Sequence, residues 1–401
     1  MTGRRGCLAR MRIAITHGTC WPEIRRGSER LLADAARVLA ARGHDVTAIS
    51  TTPAMPGGGE ETRGAVRYAF LPLREPPALL VRARQLTRHH LFAWDLRRAL
   101  GTGGYDAVLC LGWQDAAGAL LARRAGARFR LVAAMTGIPV RAYFRRTPLD
   151  GLAYRRVLAG ADAIVVISRF AAARLQAEFG HGGVLLPAPV DTAPFAAVAK
   201  PASSDGTVRV LFVGDADEPR KGALLLAQAY AAARPRLGAT ARLGYSGRAS
   251  APVRAAIRAA LPGGLQAELD FHDVGAVDDL PRLLAAATIV VNPAVWEALG
   301  MVLIEALAAG TPVVGCDHAG TPDIVDDPAI GTLFAPGAFR HAATNIAGLA
   351  EAMVRSAGLA RLPRTEALCR ARAEAFSWAA LAPRYEALLA PQGASAGAAM
   401  G

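Results

Sequence analysis

The sequence predicts an α/β fold of two doubly wound domains, each a parallel sheet with helices on both faces. Three observations carry this. Strand-like and helix-like segments alternate from end to end, the order that parallel sheets with crossover helices require. The chain has 401 residues, 52% of them hydrophobic, which is enough for two cores. A Pro-, Ala- and Ser-rich stretch ending at Gly206 interrupts the alternation near the middle and reads as a linker. The expected division is a lead over residues 1–10, a first domain over 11–190, the linker over 191–206, a second domain over 207–375, a closing helix over 376–390 and a tail over 391–401.

Met11–Ile15 leads into the first strand, Arg12–Thr16, and the basic residues before it lack the apolar core of a signal peptide. A loop through Trp21–Gly27 enters a helix that Ser28 is expected to cap. Its apolar positions Leu31, Leu32, Ala35, Val38 and Leu39 fall at helical spacing, and Gly43 stops it. Asp45–Ser50 is the next strand, so this βαβ unit places Gly27 and Ser28 at the carboxyl edge of the sheet, where ligands bind in such folds. Leu79–Leu100 reads as one long helix carrying Arg82, Arg84, Arg88, His89, His90, Arg97 and Arg98. It fits either a basic helix resting on a membrane surface or a core helix with a solvated arginine face. The second is expected, so membrane contact is not an expected role, and the protein is expected to show little or no vesicle binding at physiological salt. Adjacent His89 and His90 cannot share one helical face and have no carboxylate or cysteine partner nearby in sequence, which argues against a metal site. Ala107–Leu111, Phe129–Ala134 and Ala163–Ile167 are further strands.

In the second domain the strands are Val208–Val213, Ala241–Tyr245, Leu269–Phe271, Ile289–Val291 and Val313–Val314. The most informative stretch is Pro293–Glu305. Pro293 stops a strand, Glu297 lies in the loop, and Met301–Ala309 reads as a helix ended by Gly310–Thr311–Pro312. The amides of Leu299, Gly300 and Met301 therefore open a helix at the end of a strand, an arrangement suited to phosphate. A carboxylate beside it accepts hydrogen bonds only and suits hydroxyl-rich ligands. The helix Phe376–Leu389, with Trp378, Leu381, Tyr385 and Leu388, closes the fold, and the Gly-, Ala- and Ser-rich tail is expected to be disordered.

Glu297-x7-Glu305 followed by Ala-Leu-Ala-Ala-Gly-Thr-Pro-Val-Val resembles the signature of glycosyltransferase family 4. The likeness extends over roughly Met11–Ala390 and is firmest in the second domain. It implies the GT-B fold, two Rossmann-like domains facing a central cleft, and retaining, metal-independent transfer from a nucleotide-diphosphate sugar, with no cofactor. The second domain would bind the donor and the first the acceptor. Lys221 in Gly214–Gly222 inherits the diphosphate-binding role, and the run Asp217–Gly222 is similar to actinobacterial phosphatidylinositol mannosyltransferases. Glu297 would hold sugar hydroxyls, Glu305 the ribose, Leu299, Gly300 and Met301 the phosphates, and Val274 the base. Gly27 matches the second glycine of a Gly-Gly turn near the diphosphate. Asp317–Asp323 resembles another phosphate loop, with Thr321 a cap candidate.

The sequence departs from the family at three places, and at the first of them Arg26 stands for the first glycine of that Gly-Gly turn. Asp215 stands where an arginine is usual, so Asp215 either pairs with Arg220 or points away, and Arg220 is the expected replacement cation. Met135–Thr136–Gly137 stands where many relatives have a histidine. Trp113, Gln114, Asp115, Thr136 and Arg141 end or follow strands at the same edge and are the acceptor-lining candidates.

The formal charge is +13, yet Lys200 and Lys221 are the only lysines among 46 basic residues, which points to compositional bias toward arginine. No nucleic-acid module appears, so nucleic acid is not an expected partner. Five scattered cysteines fit reduced thiols in a cytoplasm, and no apolar run reaches the ~20 residues of a membrane span. The expected partners are thus a nucleotide sugar and a small-molecule or lipid acceptor, with a soluble natural product favoured. The alternative is a nucleotide-sugar-binding protein of the same fold with little transferase activity.

Overall fold

The computed structural model describes residues 9–23, 27–82, 86–201, 206–238, 240–272 and 279–391. Most of the expected lead and tail, Arg84 and Val274 lie outside the described residues. The chain divides into two compact units. One runs to Pro189 and is joined by the residues from Leu381 onward; the other is Val190–Ala380.

The first unit holds an eight-stranded sheet of β1 (Arg12–Thr16), β2 (Asp45–Ser50), β3 (Gly59–Arg63), β4 (Val66–Phe70), β5 (Ala107–Cys110), β6 (Arg130–Met135), β7 (Ala163–Val166) and β8 (Val184–Leu185). Its order is β3-β4-β2-β1-β5-β6-β7-β8, and only β3 against β4 is antiparallel. The helices are α1 (Gly27–Ala41), α2 (Ala78–Arg82), α3 (Arg88–Gly103), α4 (Trp113–Arg124), α5 (Pro148–Gly160) and α6 (Arg169–Phe179). Ile13, Ala14 and Ile15 of β1 and every residue of β5 are buried. Helices cover both faces of the central strands, so these read as unbroken apolar runs. β3, Gly-Glu-Glu-Thr-Arg, is largely exposed. Its charges blunt the sheet edge, and for the same reason it carries no apolar alternation by which to find it.

Two local expectations are corrected. Ser28 is not the cap of α1: the helix already begins at Gly27, and the Ser28 hydroxyl donates to Glu29 Oε2 at 3.0 Å. Leu79–Leu100 is not one helix. Thr87 starts α3 with a capping box, its backbone N–H donating to His90 Nδ1 at 3.0 Å. With Nδ1 accepting, His90 Nε2 carries the hydrogen and donates to Asp150 Oδ1 of α5 at 3.0 Å. Phe92, Leu96 and Leu100 line the buried face of α3, the pattern of a core helix.

In the second unit α7 (Ala193–Ala196) precedes a parallel sheet of β9 (Val208–Val213), β10 (Ala241–Ser246), β11 (Leu269–His272), β12 (Ile289–Asn292), β13 (Val313–Cys316) and β14 (Gly331–Phe334), ordered β11-β10-β9-β12-β13-β14. Its further helices are α8 (Ala223–Ala233), α9 (Ala251–Ala259), α10 (Leu280–Ala286), α11 (Met301–Ala308), α12 (Ile346–Leu359) and α13 (Thr365–Glu374). One face of the sheet packs Val210, Phe212, Ile289 and Val291 with Leu226 and Tyr230 of α8 and Leu349 and Met353 of α12. The last helix, α14 (Trp378–Leu389), follows Ser377, whose hydroxyl accepts the Ala380 N–H at 3.2 Å. From Leu381 onward α14 belongs to the first unit. There Arg130 Nε donates to the Leu388 carbonyl at 2.6 Å, and Glu386 meets Arg42 and His44.

Candidate active site

Each sheet has one point where the strand order reverses. In the first unit β1 lies between β2 and β5; in the second, β9 lies between β10 and β12. Loops leaving adjacent strands in opposite directions open a crevice at their carboxyl ends, the usual ligand position in open α/β sheets. In the second unit the loops after β9 and β12 are Gly214–Gly222 and Pro293–Gly300, the two stretches that the sequence singled out.

These loops meet. Lys221 Nζ lies 2.5 Å from Glu297 Oε2, and both side chains keep partial access to solvent, 21% and 17%. The short turn Pro219–Lys221 fixes the lysine, whose N–H donates to the Glu218 carbonyl at 2.9 Å. Glu297 is fixed by its own carbonyl, which accepts the Gly320 N–H at 2.9 Å. A Cβ at Gly320 would stand 2.2 Å from the Ala298 carbonyl oxygen, so only glycine permits this approach. Gly300 precedes α11 with φ +99°, a conformation that favours glycine and lets the chain turn from the Glu297 loop straight into the helix. Leu299 is buried, Met301 begins α11, and the helix start supplies unpaired amides and the positive dipole end. Glu305, one turn further on, is buried at 6% exposure. Thr321 is no side-chain cap: it begins a 3₁₀ turn, and its buried hydroxyl has no hydrogen-bond partner among the described residues.

Arg220 does not pair with Asp215. Its guanidinium donates to the Trp296 carbonyl at 3.0 Å and lies 2.5 Å from Glu218 Oε2, bracing the Glu297 loop. Asp215 Oδ1 instead accepts the Asp217 N–H at 3.0 Å, and its other oxygen lies 3.9 Å from Arg248. Asp217 pairs with the same arginine at 3.1 Å and accepts the Ser250 N–H at 2.8 Å. The backbone hydrogen bond from Ser250 is the main reason that the Asp217 carboxyl lies below its ordinary pKa. Arg248, in the loop that leaves β10, therefore offsets the charge of both aspartates.

The first unit carries a cleft of about 610 Å³ at the carboxyl ends of β1 and β2, bordered by His17, Thr19, Glu29, Thr51, Arg88 and His89 among others. Glu29 is buried in the first turn of α1 and accepts the Thr19 hydroxyl at 2.7 Å and that of Ser28. His17 Nδ1 lies 3.1 Å from the same Thr19 hydroxyl, and its ring stands edge-on to His89 at 6.2 Å. Gly27 begins the helix that carries Ser28 and Glu29 to this cleft. The sequence did not single out His17, Thr19 or Glu29. One signal was there: Glu29 falls three and seven residues before Leu32 and Ala36, a carboxylate on an apolar helix face.

None of the expected acceptor-lining residues borders this cleft. Trp113 packs edge-on against His90, Phe144 and Tyr154. Thr136 donates its hydroxyl to the Leu111 carbonyl at 3.2 Å, and Arg141 is held by Glu178. Asp115 is buried at the start of α4, 3.4 Å from the Thr16 hydroxyl. Burial raises its pKa to about 6, against the opposing influence of His17 and the Thr16 hydrogen bond. A folded pKa above the unfolded value of ~3.9 costs stability once the group ionises. Stability from this site is therefore full below pH ~4 and falls as pH rises through about 6. Asp115→Asn is expected to raise stability at pH 7.5, by about 3 kcal/mol, and to leave it unchanged near pH 4. Equal gains at both pH values would refute burial as the cause.

Residues 25–193 match the family model described as Glycosyltransferase Family 4, and residues 207–355 that described as Glycosyl transferases group 1. A GDP-mannose-dependent alpha-(1-6)-phosphatidylinositol monomannoside mannosyltransferase of Mycolicibacterium smegmatis is 29% identical over 329 residues, 77% of this chain and 82% of that protein. A D-inositol 3-phosphate glycosyltransferase of Mycobacterium leprae is 33% identical over 177 residues, covering 43% of this chain and 39% of that one. Among solved structures, sucrose-phosphate synthase from Thermosynechococcus elongatus superposes with a TM-score of 0.76 at 21% identity, covering 94% of this chain and 98% of the other. WaaG, a glycosyltransferase involved in lipopolysaccharide biosynthesis, gives 0.70 at 18%, covering 94% and 99%. At these identities the solved structures speak to the fold alone.

Proposed function

The chain belongs to glycosyltransferase family 4, with the GT-B fold, and from that premise we propose that it moves a hexose from a nucleotide-diphosphate sugar to a hydroxyl of an inositol-type polyol. Configuration at the transferred carbon is retained, and no metal ion takes part. The observation that carries this reading is the Lys221–Glu297 pair at the β9/β12 crevice beside the start of α11. As the sugar–phosphate bond breaks, negative charge grows on the departing diphosphate. Lys221 and the first amides of α11 stabilise it, an interaction stronger in the transition state than before it. The released phosphate oxygen takes the acceptor proton on the same face, so no covalent enzyme intermediate forms. Glu297 accepts hydrogen bonds from the sugar hydroxyls and Glu305 from the ribose.

The acceptor is assigned to the first-unit cleft, where Glu29, Thr19, Thr51 and His17 offer a polar wall suited to a polyol. The named activities of the two mycobacterial relatives favour an inositol compound, free or lipid-borne, over the soluble natural product that the sequence favoured. They also make GDP-mannose the first donor to try.

The test is incubation with GDP-mannose and other nucleotide sugars, each with D-inositol 3-phosphate or a phosphatidylinositol mannoside. Product mass and anomeric configuration are read out, with and without chelator. A single α-linked product formed equally in chelator is expected. Donor binding without transfer to any acceptor would return the alternative of a binding protein. In the same series Glu305→Ala is expected to weaken nucleoside-diphosphate binding by about 1.5–3 kcal/mol through loss of charge-assisted hydrogen bonds. Unchanged calorimetric affinity in a folded variant would remove Glu305 from that role.

A further inference from the structure

The three most exposed large apolar side chains among the described residues are Leu149 at 79%, Leu79 at 77% and Tyr143 at 70%. Two of these three sit on one short segment, the 3₁₀ turn Arg141–Phe144 and the helix α5 that follows it. Leu152, 45% exposed, is a third apolar residue there. Helix α5 has apolar residues on both of its sides. Tyr154, Val157 and Leu158 face the core, while Leu149, Leu152 and Arg156 fall at i, i+3 and i+7 on the side facing solvent. Arg145, Arg146, Arg155 and Arg156 are all exposed, and no ion pair engages them among the described residues. Elsewhere on this surface arginines are commonly paired, as in Arg123–Asp162 and Arg174–Glu178.

We propose that the face formed by Tyr143, Leu149 and Leu152 with these four arginines docks the protein on an anionic lipid bilayer. The combination selects this partner. Protruding leucines gain nothing from a phosphate backbone in water, whereas at a bilayer they enter the acyl boundary while arginines reach the lipid phosphates. Tyrosine is suited to the interface, with an apolar ring and a polar tip. No described helix is long and apolar enough to cross a membrane, so attachment by this face is peripheral. The face is distinct from that of α3, the basic helix whose apolar residues Phe92, Leu96 and Leu100 are buried.

The docking face is also tied to the first-unit cleft. Asp150 of α5 accepts the His90 Nε2 hydrogen, and Trp113 packs edge-on against His90, Phe144 and Tyr154. Helix α3, which carries His90, also supplies Arg88, His89 and Phe92 to the cleft wall. One hydrogen bond and one aromatic cluster therefore couple a bilayer-bound α5 to that wall. Membrane docking does not depend on the proposed transfer reaction, because it is read without donor or acceptor.

The experiment is co-sedimentation of the full chain with phosphatidylcholine vesicles, with and without phosphatidylglycerol, over a range of salt. Binding to the anionic vesicles alone, weakening as salt rises, is expected. Replacing the four arginines by glutamine together should lower partitioning more than about 100-fold, at roughly five-fold per charge. Leu149→Ser with Leu152→Ser should abolish the part of the binding that survives high salt. Arg97→Gln with Arg98→Gln on α3 should leave binding unchanged. The residues replaced in this segment are exposed, so thermal unfolding at the wild-type temperature confirms intact variants. The proposal is overturned if wild type does not sediment with anionic vesicles, or if either the four-arginine or the two-leucine variant binds as wild type does. It is equally overturned, in favour of nucleic acid, if duplex DNA binds more tightly than the vesicles and the leucine variant binds that DNA unchanged.

Discussion

Lys221→Ala is expected to lower kcat by about 100-fold or more, the largest loss of any single change in the donor site. The ammonium bridges the loops after β9 and β12, 2.5 Å from Glu297. A compact point charge on a flexible stem can leave that carboxylate for an incoming diphosphate and follow the charge as the bond breaks. On the proposed mechanism, removing it takes away a contact that strengthens in the transition state, so kcat should fall more than nucleotide affinity. Glu297→Gln keeps the shape of the loop but loses the anion. It is expected to reduce kcat with little change in nucleoside-diphosphate affinity, because the partners proposed for it are sugar hydroxyls. Arg220→Ala should cost much less than Lys221→Ala, since its guanidinium is committed to Glu218 and the Trp296 carbonyl. Asp215→Arg should bring no gain, because it sets a second cation beside Arg248 and removes one of that arginine's partners. The measurements are kcat and calorimetric nucleotide affinity with one identified donor. Lys221→Ala with full activity and full affinity would show that the donor site lies elsewhere.

What the sequence made legible was whatever rests on continuous patterns. β9 and β12 are apolar runs because helices cover both faces of their sheet, and the loops after them carry glycines, prolines and charges that interrupt those runs. The strand order could not be read, but alternation alone was enough to place Lys221 and Glu297 in loops at the ends of strands. Partners distant in sequence were hidden. Arg248 lies 33 residues beyond Asp215, so the sequence paired Asp215 with its neighbour Arg220 instead. His90 looked isolated because Asp150 lies 60 residues away. The break between α2 and α3 was missed because arginine and leucine are both good helix formers, and the Thr87 cap is the local mark of the new start. The acceptor candidates lie off the cleft for a related reason. Position at a strand end says nothing about whether a side chain faces a cleft or, like Asp115, is buried against a neighbouring strand.

Glu386→Ala is expected to destabilise the first unit by about 3–5 kcal/mol, a larger effect on stability than that of Asp115→Asn. Glu386 is buried at 4% exposure on α14 and holds that helix to the chain between α1 and β2. Arg42 grips it with two nitrogens, at 2.6 and 2.7 Å. His44 Nδ1 accepts the Met11 N–H at 3.2 Å, so its Nε2 carries the hydrogen and donates to Glu386 Oε1 at 3.1 Å. A neutral imidazole is enough for that bond. Burial by itself would raise the Glu386 pKa, but the hydrogen bonds from Arg42 and His44 outweigh it and hold the carboxyl below its ordinary value. The contribution is therefore complete above the unfolded pKa of ~4.3 and is lost as pH falls through the lower folded value. Truncation to alanine also leaves the His44 donor buried without this acceptor. Glu386→Gln should cost less, since an amide oxygen still accepts one hydrogen bond. Denaturant unfolding of wild type and both variants at pH 7 and pH 3 checks this. The gap between wild type and Glu386→Ala should narrow at the lower pH. A gap below about 1 kcal/mol at pH 7 would show that apolar packing of α14, through Leu381, Tyr385 and Leu389, holds the helix without the clamp.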